Sequence, residues 1–347
     1  MKQGYHLFGL GMAIPFALLL ADAPLRAATY QVSDPASLKS LMPRLKPGDT
    51  VDLGAAAMGD LFLRKGSVEK LSGVTLRGGI FRTIRMDDAA GVTLEQGRVV
   101  MPVTELTRQY TPAMLFYRPN KLRIRNYDIS SDRLAGNRLG YAIRLDQRGG
   151  GSDVIIEKVK IHDLSSGIVT QSVEDITIRD VSTDAMSGDS YYISNGSNVT
   201  LDSLRCGKYD GIDVASIHPD CVQIDQLSGP TTDLLIRNLV IEQGAGDFTQ
   251  WIFTGMPKNF RHKRWVITGT RGNGLTYRAI SVAGVDGLTI TDNILRTPPN
   301  RKYFTMLTVD NSSDVVMRDN VACSHGRKNN TNLRETGKVT VSCRIGR

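Results

Sequence analysis

Residues 209–225 bring together the side chains best suited to acid–base chemistry. Val222 and Ile224 alternate with polar residues, which predicts a short strand with one buried face. We expect the polar side chains of this segment to lie on the exposed face or in the turn before it. An ordinary Asp- and Gly-rich loop is the alternative interpretation. The segment contributes four carboxylates, an imidazole and an amide, which belong to Asp210, Asp213, His218, Asp220, Gln223 and Asp225.

One chemistry that fits these residues is proton abstraction from a uronate sugar. Elimination or C5-epimerisation needs a base near the sugar C5 and a cation that neutralises the substrate carboxylate. We expect His218 to be the base, because an unperturbed imidazole is largely neutral near pH 7. Asp220 or Asp213 would hold its tautomer. Arg144 or Arg278 would bind the carboxylate with a bidentate guanidinium.

Hydrolysis of a glycosidic bond is the competing chemistry, and it needs two carboxyl groups. Clustered aspartates also bind calcium, which stays open although no Asp-x-Asp-x-Asp loop is present. The sequence assigns no metal ligands. The candidate carboxyls for hydrolysis are Asp184, Asp189, Asp210, Asp213 and Asp220.

The N-terminus is typical of an exported protein. Lys2 precedes an apolar run over residues 7–20 that is followed by small residues. This pattern predicts a secretory signal peptide over residues 1–27, with cleavage near Ala27. The run is too short and too interrupted for a membrane span. We expect a monomeric protein of the periplasm or the extracellular medium.

Charge and cysteine content fit that compartment. The chain has 347 residues, a net charge of +8 and an isoelectric point near 9.3. Outside the cytoplasm, this favours an acidic polysaccharide rather than nucleic acid as the partner. An even count of cysteines permits disulfides. We expect Cys323–Cys343 first, and Cys206–Cys221 less, because Cys221 lies inside a predicted strand.

Short strands recur along the chain after an N-terminal cap. Residues 28–53 predict a cap, with a helix that Asp34 begins and Pro47 ends. After the cap, a four-residue pattern repeats at intervals of roughly 20 to 35 residues. It consists of a turn residue followed by an apolar, a polar and an apolar residue, for example at 73–76, 175–178, 198–201 and 233–236. A second strand lies between most of these phrases. Residues 28–347 therefore predict one all-β domain, a single-stranded right-handed parallel β-helix with a short capping helix.

Stacked coils would align the outward residues of neighbouring second strands in one groove. Polar and aromatic side chains in such a row suit a sugar chain. The residues expected to bind substrate there, or in the loops beside it, are Arg144, Gln171, Asp184, Asp189, Tyr192, Gln223, Asp225 and Trp251, with Asp146 and Ser281 in the same row.

The cap and the repeats resemble pectate-lyase-like right-handed parallel β-helix carbohydrate-active proteins, and the cap is similar to the chondroitinase-B and alginate-lyase type. Residues 210–213 and 220–222 resemble fragments of the polygalacturonase motifs, with Pro219 in place of the first paired aspartate. The Gly-His-Gly and Arg-x-Lys segments of those hydrolases have no counterpart. Residues 218–220 are similar to the His/Asp cluster of mannuronan epimerases. The resemblance implies an enzyme of a polysaccharide-processing class.

A basic run decides between these chemistries at the sequence level. Lys258, Arg261, His262, Lys263 and Arg264 follow the Trp251 strand and predict a basic loop beside the groove. Such a loop would attract a polyanion, although a charge run is commonly only a solvated surface. We therefore expect a polysaccharide lyase or uronate epimerase. The alternatives are a polygalacturonase-type hydrolase and a non-catalytic carbohydrate-binding β-helix.

Overall fold

The computed structural model describes residues 27–103, 110–132, 140–146, 151–209, 219–242, 249–273, 278–297 and 305–341. In these residues the chain forms a right-handed parallel β-helix with one short α-helix near its N-terminus. Of the predicted signal peptide, only Ala27 belongs to this part of the chain. None of the helices described is long and apolar enough to cross a membrane.

The strands are short and follow one another closely. The first sixteen are β1 (Thr29–Gln31), β2 (Thr50–Leu63), β3 (Thr75–Asp87), β4 (Thr93–Glu95), β5 (Arg98–Met101), β6 (Pro112–Tyr117), β7 (Arg123–Arg125), β8 (Asp128–Ser131), β9 (Tyr141–Asp146), β10 (Ser152–Glu157), β11 (Lys160–His162), β12 (Ser166–Gln171), β13 (Glu174–Arg179), β14 (Ser182–Asp184), β15 (Tyr191–Ser194) and β16 (Ser197–Asp202). The rest are β17 (Arg205–Cys206), β18 (Asp220–Ile224), β19 (Thr232–Arg237), β20 (Val240–Ile241), β21 (Gln250–Phe253), β22 (His262–Thr268), β23 (Arg271–Asn273), β24 (Arg278–Ala283), β25 (Val285–Thr291), β26 (Ile294–Arg296), β27 (Met306–Asp310), β28 (Ser313–Arg318), β29 (Val321–Ala322), β30 (Ser324–Lys328), β31 (Arg334–Thr336) and β32 (Val339–Thr340).

Each coil crosses three faces in the same order. The first face stacks β4, β7, β10, β13, β16, β19, β22, β25, β28 and β31 in parallel. The second stacks β5, β8, β11, β14, β17, β20, β23, β26, β29 and β32. The third, called the groove face below, stacks β6, β9, β12, β15, β18, β21, β24, β27 and β30. The sequence predicts two strands per coil and misses the two- to four-residue strands of the second face.

The N-terminal cap covers the first coil. Helix α1 (Pro35–Leu41) begins at Asp34, whose carboxylate accepts a hydrogen bond from the Ser37 amide at 2.9 Å. Leu38 and Leu41 are buried beneath it. Short 3₁₀ helices follow at Met42–Arg44 and Val68–Leu71. The predicted capping helix is confirmed.

The corner before the first face uses left-handed residues. The backbone angle φ is +57° at Asp153, +50° at Asp175, +51° at Asn198 and +55° at Asp233. Asp and Asn tolerate this region because their short polar side chains bond locally. The Asn198 amide also donates to Asp175 of the preceding coil over 2.7 Å. The corner geometry explains why the repeated phrase opens with Asp, Asn or Gly.

Inward side chains form one apolar core along the solenoid. Val222 and Ile224 are both 0 % exposed, and Tyr191 lies in register with Val222. The predicted inward register of β18 is therefore confirmed. The other positions expected in this core, Val199, Leu201, Leu234 and Ile236, are also buried.

A column at the corner between the second and groove faces is also buried. Each residue of this column comes directly before an inward-pointing residue of a groove-face strand, and the side chains of the column point toward the second face. The Ser190 hydroxyl lies 2.8 Å from that of Thr183, and Cys221 forms a disulfide with Cys206, with a Cα–Cα distance of 6.0 Å. Successive coils place Ala142, Gly167, Ser190, Cys221, Trp251 and Ala279 in this column.

The Cys206–Cys221 disulfide was the less expected pair. Cys221 lies inside strand β18 as predicted, but its place in the buried corner column directs it toward Cys206 in β17. Cys343 lies outside the described residues, so the Cys323–Cys343 pairing stays a prediction.

Candidate functional site

A column of outward side chains runs along the groove face. Strand register aligns Tyr192 with Gln223, and Gln223 with Phe253. Neighbouring strands stack about 4.8 Å apart, so this column follows the solenoid axis. From the N-terminal side, the column reads Arg144, Val169, Tyr192, Gln223, Phe253, Ser281 and Thr308.

The first depression in this face has a volume of about 450 Å³. Burial raises the pKa of Tyr141 to about 12, and it also raises the pKa of Tyr192. Both phenols therefore stay protonated near neutral pH and act as hydrogen-bond groups. The rings of Tyr110 and Tyr141 are 5.6 Å apart. The lining residues are Tyr110, Tyr141, Arg144, Ser166, Val169, Gln171, Gly188, Asp189 and Tyr192.

Asp189 and Asp220 form a carboxyl pair at the edge of this depression. The Asp220 amide donates a hydrogen bond of 2.9 Å to Asp189 Oδ1. Asp189 is partly exposed in the depression, whereas Asp220 is 0 % exposed behind it. Burial raises the pKa of Asp189 to about 6. Burial and the neighbouring Asp189 charge raise the pKa of Asp220 well above its usual range.

A buried network of hydroxyl groups supports this pair. The Ser190 amide donates to the Asp220 carbonyl at 2.9 Å, which locks the two strands at the carboxyls. The Ser190 hydroxyl bonds with Thr183 at 2.8 Å and with Tyr209 at 2.5 Å. Tyr209 is fully buried. These hydrogen bonds therefore fix the backbone next to Asp189.

Arg144 is the cation of the first depression. One of its terminal nitrogens lies 3.3 Å from the buried Asp146 carboxylate, and its side chain is partly exposed. Gln171 pairs in register with Asp146 and lines the same depression. The arrangement can present a guanidinium and an amide to a polar ligand.

A second depression of about 360 Å³ lies farther along the groove face. Its aromatic residue is Phe253, and the Arg278 guanidinium carbon lies 6.0 Å from the centre of that ring. The other lining residues are Thr254, Gly255, Met256, Ser281, Ala283, Met306, Thr308, Asp310 and Asn311. Sequence reasoning missed Phe253, although aligning residues 251–253 with 221–223 places it opposite Gln223. It also missed Tyr110 and Tyr141.

Trp251 was expected in the groove, and this expectation is wrong. Its side chain is 0 % exposed and occupies the buried corner column. A Cβ on Gly272 would lie 2.9 Å from the Trp251 ring and 2.7 Å from Ile241. The indole thus fills space that Gly272 leaves open beneath the second face.

Two of the aspartates that were predicted to bind substrate instead form hydrogen bonds within the protein. Asp225 is 6 % exposed, and its carboxylate accepts bonds from Ser194, from the Leu227 amide and from Ser228. These bonds lower its pKa although burial opposes them. Asp184 ends β14 on the second face and accepts from the Lys208 amide at 2.8 Å. Neither forms the floor of the groove.

The predicted basic loop is partly a strand of the first face. β22 begins at His262, which is buried and accepts a hydrogen bond from the Thr231 amide at 3.0 Å. Arg261 binds Asp286 at 2.7 Å, and Arg264 binds Asp233 through two nitrogens at 2.6 Å. Lys258 and Lys263 are exposed, but Lys263 lies on β22 rather than on the groove face.

Three predicted catalytic residues, Asp210, Asp213 and His218, lie outside the described residues. Arg278 lies in the second depression, on β24, whereas Asp220 is on β18. Since two strand spacings separate β18 from β24, these residues are about 10 Å apart along the axis. In the part of the chain that the structure describes, no group of three or more His, Cys, Asp or Glu side chains could hold a metal ion.

The chain matches no family model and no curated protein. Several solved structures match it over most of its length. PfbA, a surface adhesin of Streptococcus pneumoniae, is 11% identical with a TM-score of 0.53, over 90% of this chain and 82% of the adhesin. An alginate lyase from Paenibacillus sp. is 14% identical with a TM-score of 0.43, over 90% and 99% of the two chains. A polygalacturonase from Erwinia carotovora is 12% identical with a TM-score of 0.45, over 92% and 96%. At these identities, the likeness shows the parallel β-helix fold alone.

Proposed function

We propose that this protein is an exported enzyme that acts on an acidic, uronate-containing polysaccharide, with Asp189 as its acid–base group. The observation that carries the proposal is the Asp189–Asp220 carboxyl pair, which meets an open groove beside a guanidinium and aromatic rings. Titratable groups with shifted pKa values in a cleft are typical of catalytic sites.

The shape and lining of the groove favour a sugar chain. The groove face is an open row, and its outward column alternates aromatic and polar side chains from Tyr192 to Ser281. Aromatic rings pack against sugar faces, and amides and phenols bond hydroxyl groups. Arg144 and Arg278 suit carboxylates, because a guanidinium binds them through two hydrogen bonds. An isoelectric point near 9.3 adds attraction for a polyanion.

Hydrolysis of a glycosidic bond is the reaction that the geometry supports best. A glycosidase acid must hold a proton near working pH, and burial gives Asp189 that property with a pKa of about 6. Asp220 is fully buried, so it acts by positioning Asp189 through its backbone amide rather than by touching sugar. Asp210 or Asp213 would supply the second carboxyl.

Elimination or epimerisation is the second candidate. It rests on Arg144 and Arg278, which flank the pair along the groove, and on His218, which precedes Asp220 by two residues. In this mechanism, ionised Asp189 or His218 takes the proton from C5, and an arginine neutralises the sugar carboxylate. The ion pairs of Arg261 and Arg264 weaken the support that the basic run gives to this candidate.

The experiment is incubation of the exported protein with pectate, alginate, chondroitin sulfate and neutral dextran. Hydrolysis gives new reducing ends without ultraviolet absorbance, elimination gives both, and epimerisation changes only the uronate ratio seen by NMR. We expect reducing ends without absorbance from one acidic polymer and none from dextran. Binding without any of these changes would overturn the enzymatic proposal and leave a carbohydrate-binding protein.

His218→Ala tests the form of elimination in which His218 is the base. The elimination mechanism with His218 as base predicts a loss of about 10²–10⁴-fold in turnover, the usual contribution of a positioned base. The hydrolytic mechanism predicts a smaller loss, because Asp189 carries the proton.

A further inference from the structure

The two depressions of the groove face lie on opposite sides of the carboxyl pair. The first contains residues of β9, β12 and β15, and the second contains residues of β21, β24 and β27. Only Ser190 lies between Asp189 and the start of β15, and Asp220 is the first residue of β18. The pair therefore lies at the end of the first depression that is nearer to the second depression.

The second depression repeats the chemistry of the first. The first combines Arg144 with tyrosines, and the second combines Arg278 with Phe253. Phe253 is partly exposed and is in register with Gln223 of the preceding coil. Arg278 is exposed at the start of β24, close to the face of that ring. A ring beside a guanidinium suits a sugar that carries a carboxylate.

We infer that Phe253 and Arg278 form a second uronate-binding subsite, so that one polysaccharide chain crosses the carboxyl pair and is attacked internally. The inference rests on the proposed function, which supplies the acidic polysaccharide. The sugar chain lies along the solenoid axis, with Arg144 binding it on one side of the pair and Arg278 on the other. This placement makes Arg278 a binding residue remote from the reaction centre rather than a catalytic one.

The spacing of the coils supports this path. Tyr192 and Phe253 are two strand spacings apart in one column, or about 10 Å. Arg144 and Phe253 are four spacings apart, or about 20 Å. One strand spacing is close to the length that one pyranose adds to an extended glycan. A trimer therefore fills one depression, whereas a chain of several more sugars is needed to reach both.

Direct binding tests this subsite independently of turnover. Calorimetry would compare a trimer and a nonamer of galacturonate, and of mannuronate, on Asp189→Asn, which should not cleave them, and on Asp189→Asn that also carries Arg278→Ala or Phe253→Ala. We expect the nonamer of one series to bind more tightly than its trimer, and each variant to weaken nonamer binding by about tenfold. Trimer binding at the first depression should stay unchanged. The matched controls are Arg271→Ala on β23 of the second face and Val316→Ala on β28 of the first face, both exposed and away from the groove face.

The outcomes separate the subsite from the proposed reaction. Nonamer binding that depends on Arg278 and Phe253, without product from any polymer, would support the subsite and overturn the reaction. Turnover with nonamer binding that neither variant weakens would overturn the subsite and leave the reaction standing. Failure of Asp189→Asn to bind either nonamer more tightly than its trimer would also overturn the subsite. If both proposals hold, polymer viscosity should fall well before many reducing ends appear.

Discussion

The Asp220 amide donates a hydrogen bond of 2.9 Å to the carboxylate of Asp189, one coil before it. The bond stabilises the ionised form of Asp189, but the burial of its carboxyl is the larger effect and raises its pKa. Asp220 itself is fully buried, and burial together with the neighbouring Asp189 charge raises its pKa. The two stacked aspartates thus differ in role, because only Asp189 can reach a ligand in the groove.

The pH dependence of turnover should report the Asp189 pKa. The carboxyl is protonated below about pH 6 and ionised above it. If Asp189 donates a proton in hydrolysis, turnover should fall as pH rises through about 6. The measurement is kcat against pH, with circular dichroism at each pH to show that the fold persists. A rate that rises through this range would assign Asp189 as a base and favour elimination.

His262 should make stability depend on pH in the acidic range. Burial lowers its pKa to about 4, from about 6.5 in an unfolded chain. Between these values, the unfolded state binds the additional proton, so acidification lowers the free energy of unfolding. We expect this free energy, measured by urea denaturation, to fall as pH decreases from about 6.5 to about 4. His262→Asn keeps an acceptor for the Thr231 amide but does not titrate, so the fall should be smaller; an equal fall would contradict the assignment.

The β18 core should respond to substitution in a graded way. Ile224 is 0 % exposed, so Ile224→Val should cost about 1 kcal/mol and Ile224→Ala about 2–5 kcal/mol. Val222→Asp should prevent folding, because it buries an unpaired charge. Denaturation midpoints would measure the first two, and soluble yield the third. Gln223→Ala at the partly exposed position between them is the control and should change stability little.

Each of the two cysteine pairs can be tested separately. Cys206 and Cys221 are 15 residues apart, so replacing both by Ser should lower the free energy of unfolding by about 3 kcal/mol in the chain-entropy model. Unchanged stability of this double variant, measured by urea denaturation, would contradict that contribution. For Cys323 and Cys343, non-reducing peptide mapping should recover one linked peptide pair. Recovery of both as free thiols would refute that pairing.

Much of the fold follows from the sequence, because each coil repeats its corner residues and inward apolar pairs. Asp175, Asn198 and Asp233 mark left-handed corners, and Val222 and Ile224 fix the register of β18. The strands of the second face escape detection, because two to four residues are too few to show an alternation.

The site was predictable only in part. Arg144, Gln171, Tyr192 and Gln223 lie on the groove face as their alternation predicts. Trp251 does not, because alternation says nothing about a corner where Gly272 opens space for an indole.

The pairing of Asp189 with Asp220 was also beyond the sequence. The two residues are 31 positions apart, and only the stacking of β15 on β18 brings them together. Residues 210–218 lie between them, so the number of residues from one aspartate to the other does not indicate that they lie in neighbouring coils.

The most direct test of the central claim is the turnover of Asp189→Asn on the acidic polysaccharide that the wild type converts. The matched control is Asp175→Asn, an exposed carboxylate of β13 on the first face, where Asn suits the left-handed backbone. We expect Asp189→Asn to fold normally and to lose about 10²–10⁴-fold in kcat, while Asp175→Asn stays near wild type. Wild-type turnover by Asp189→Asn would contradict this claim.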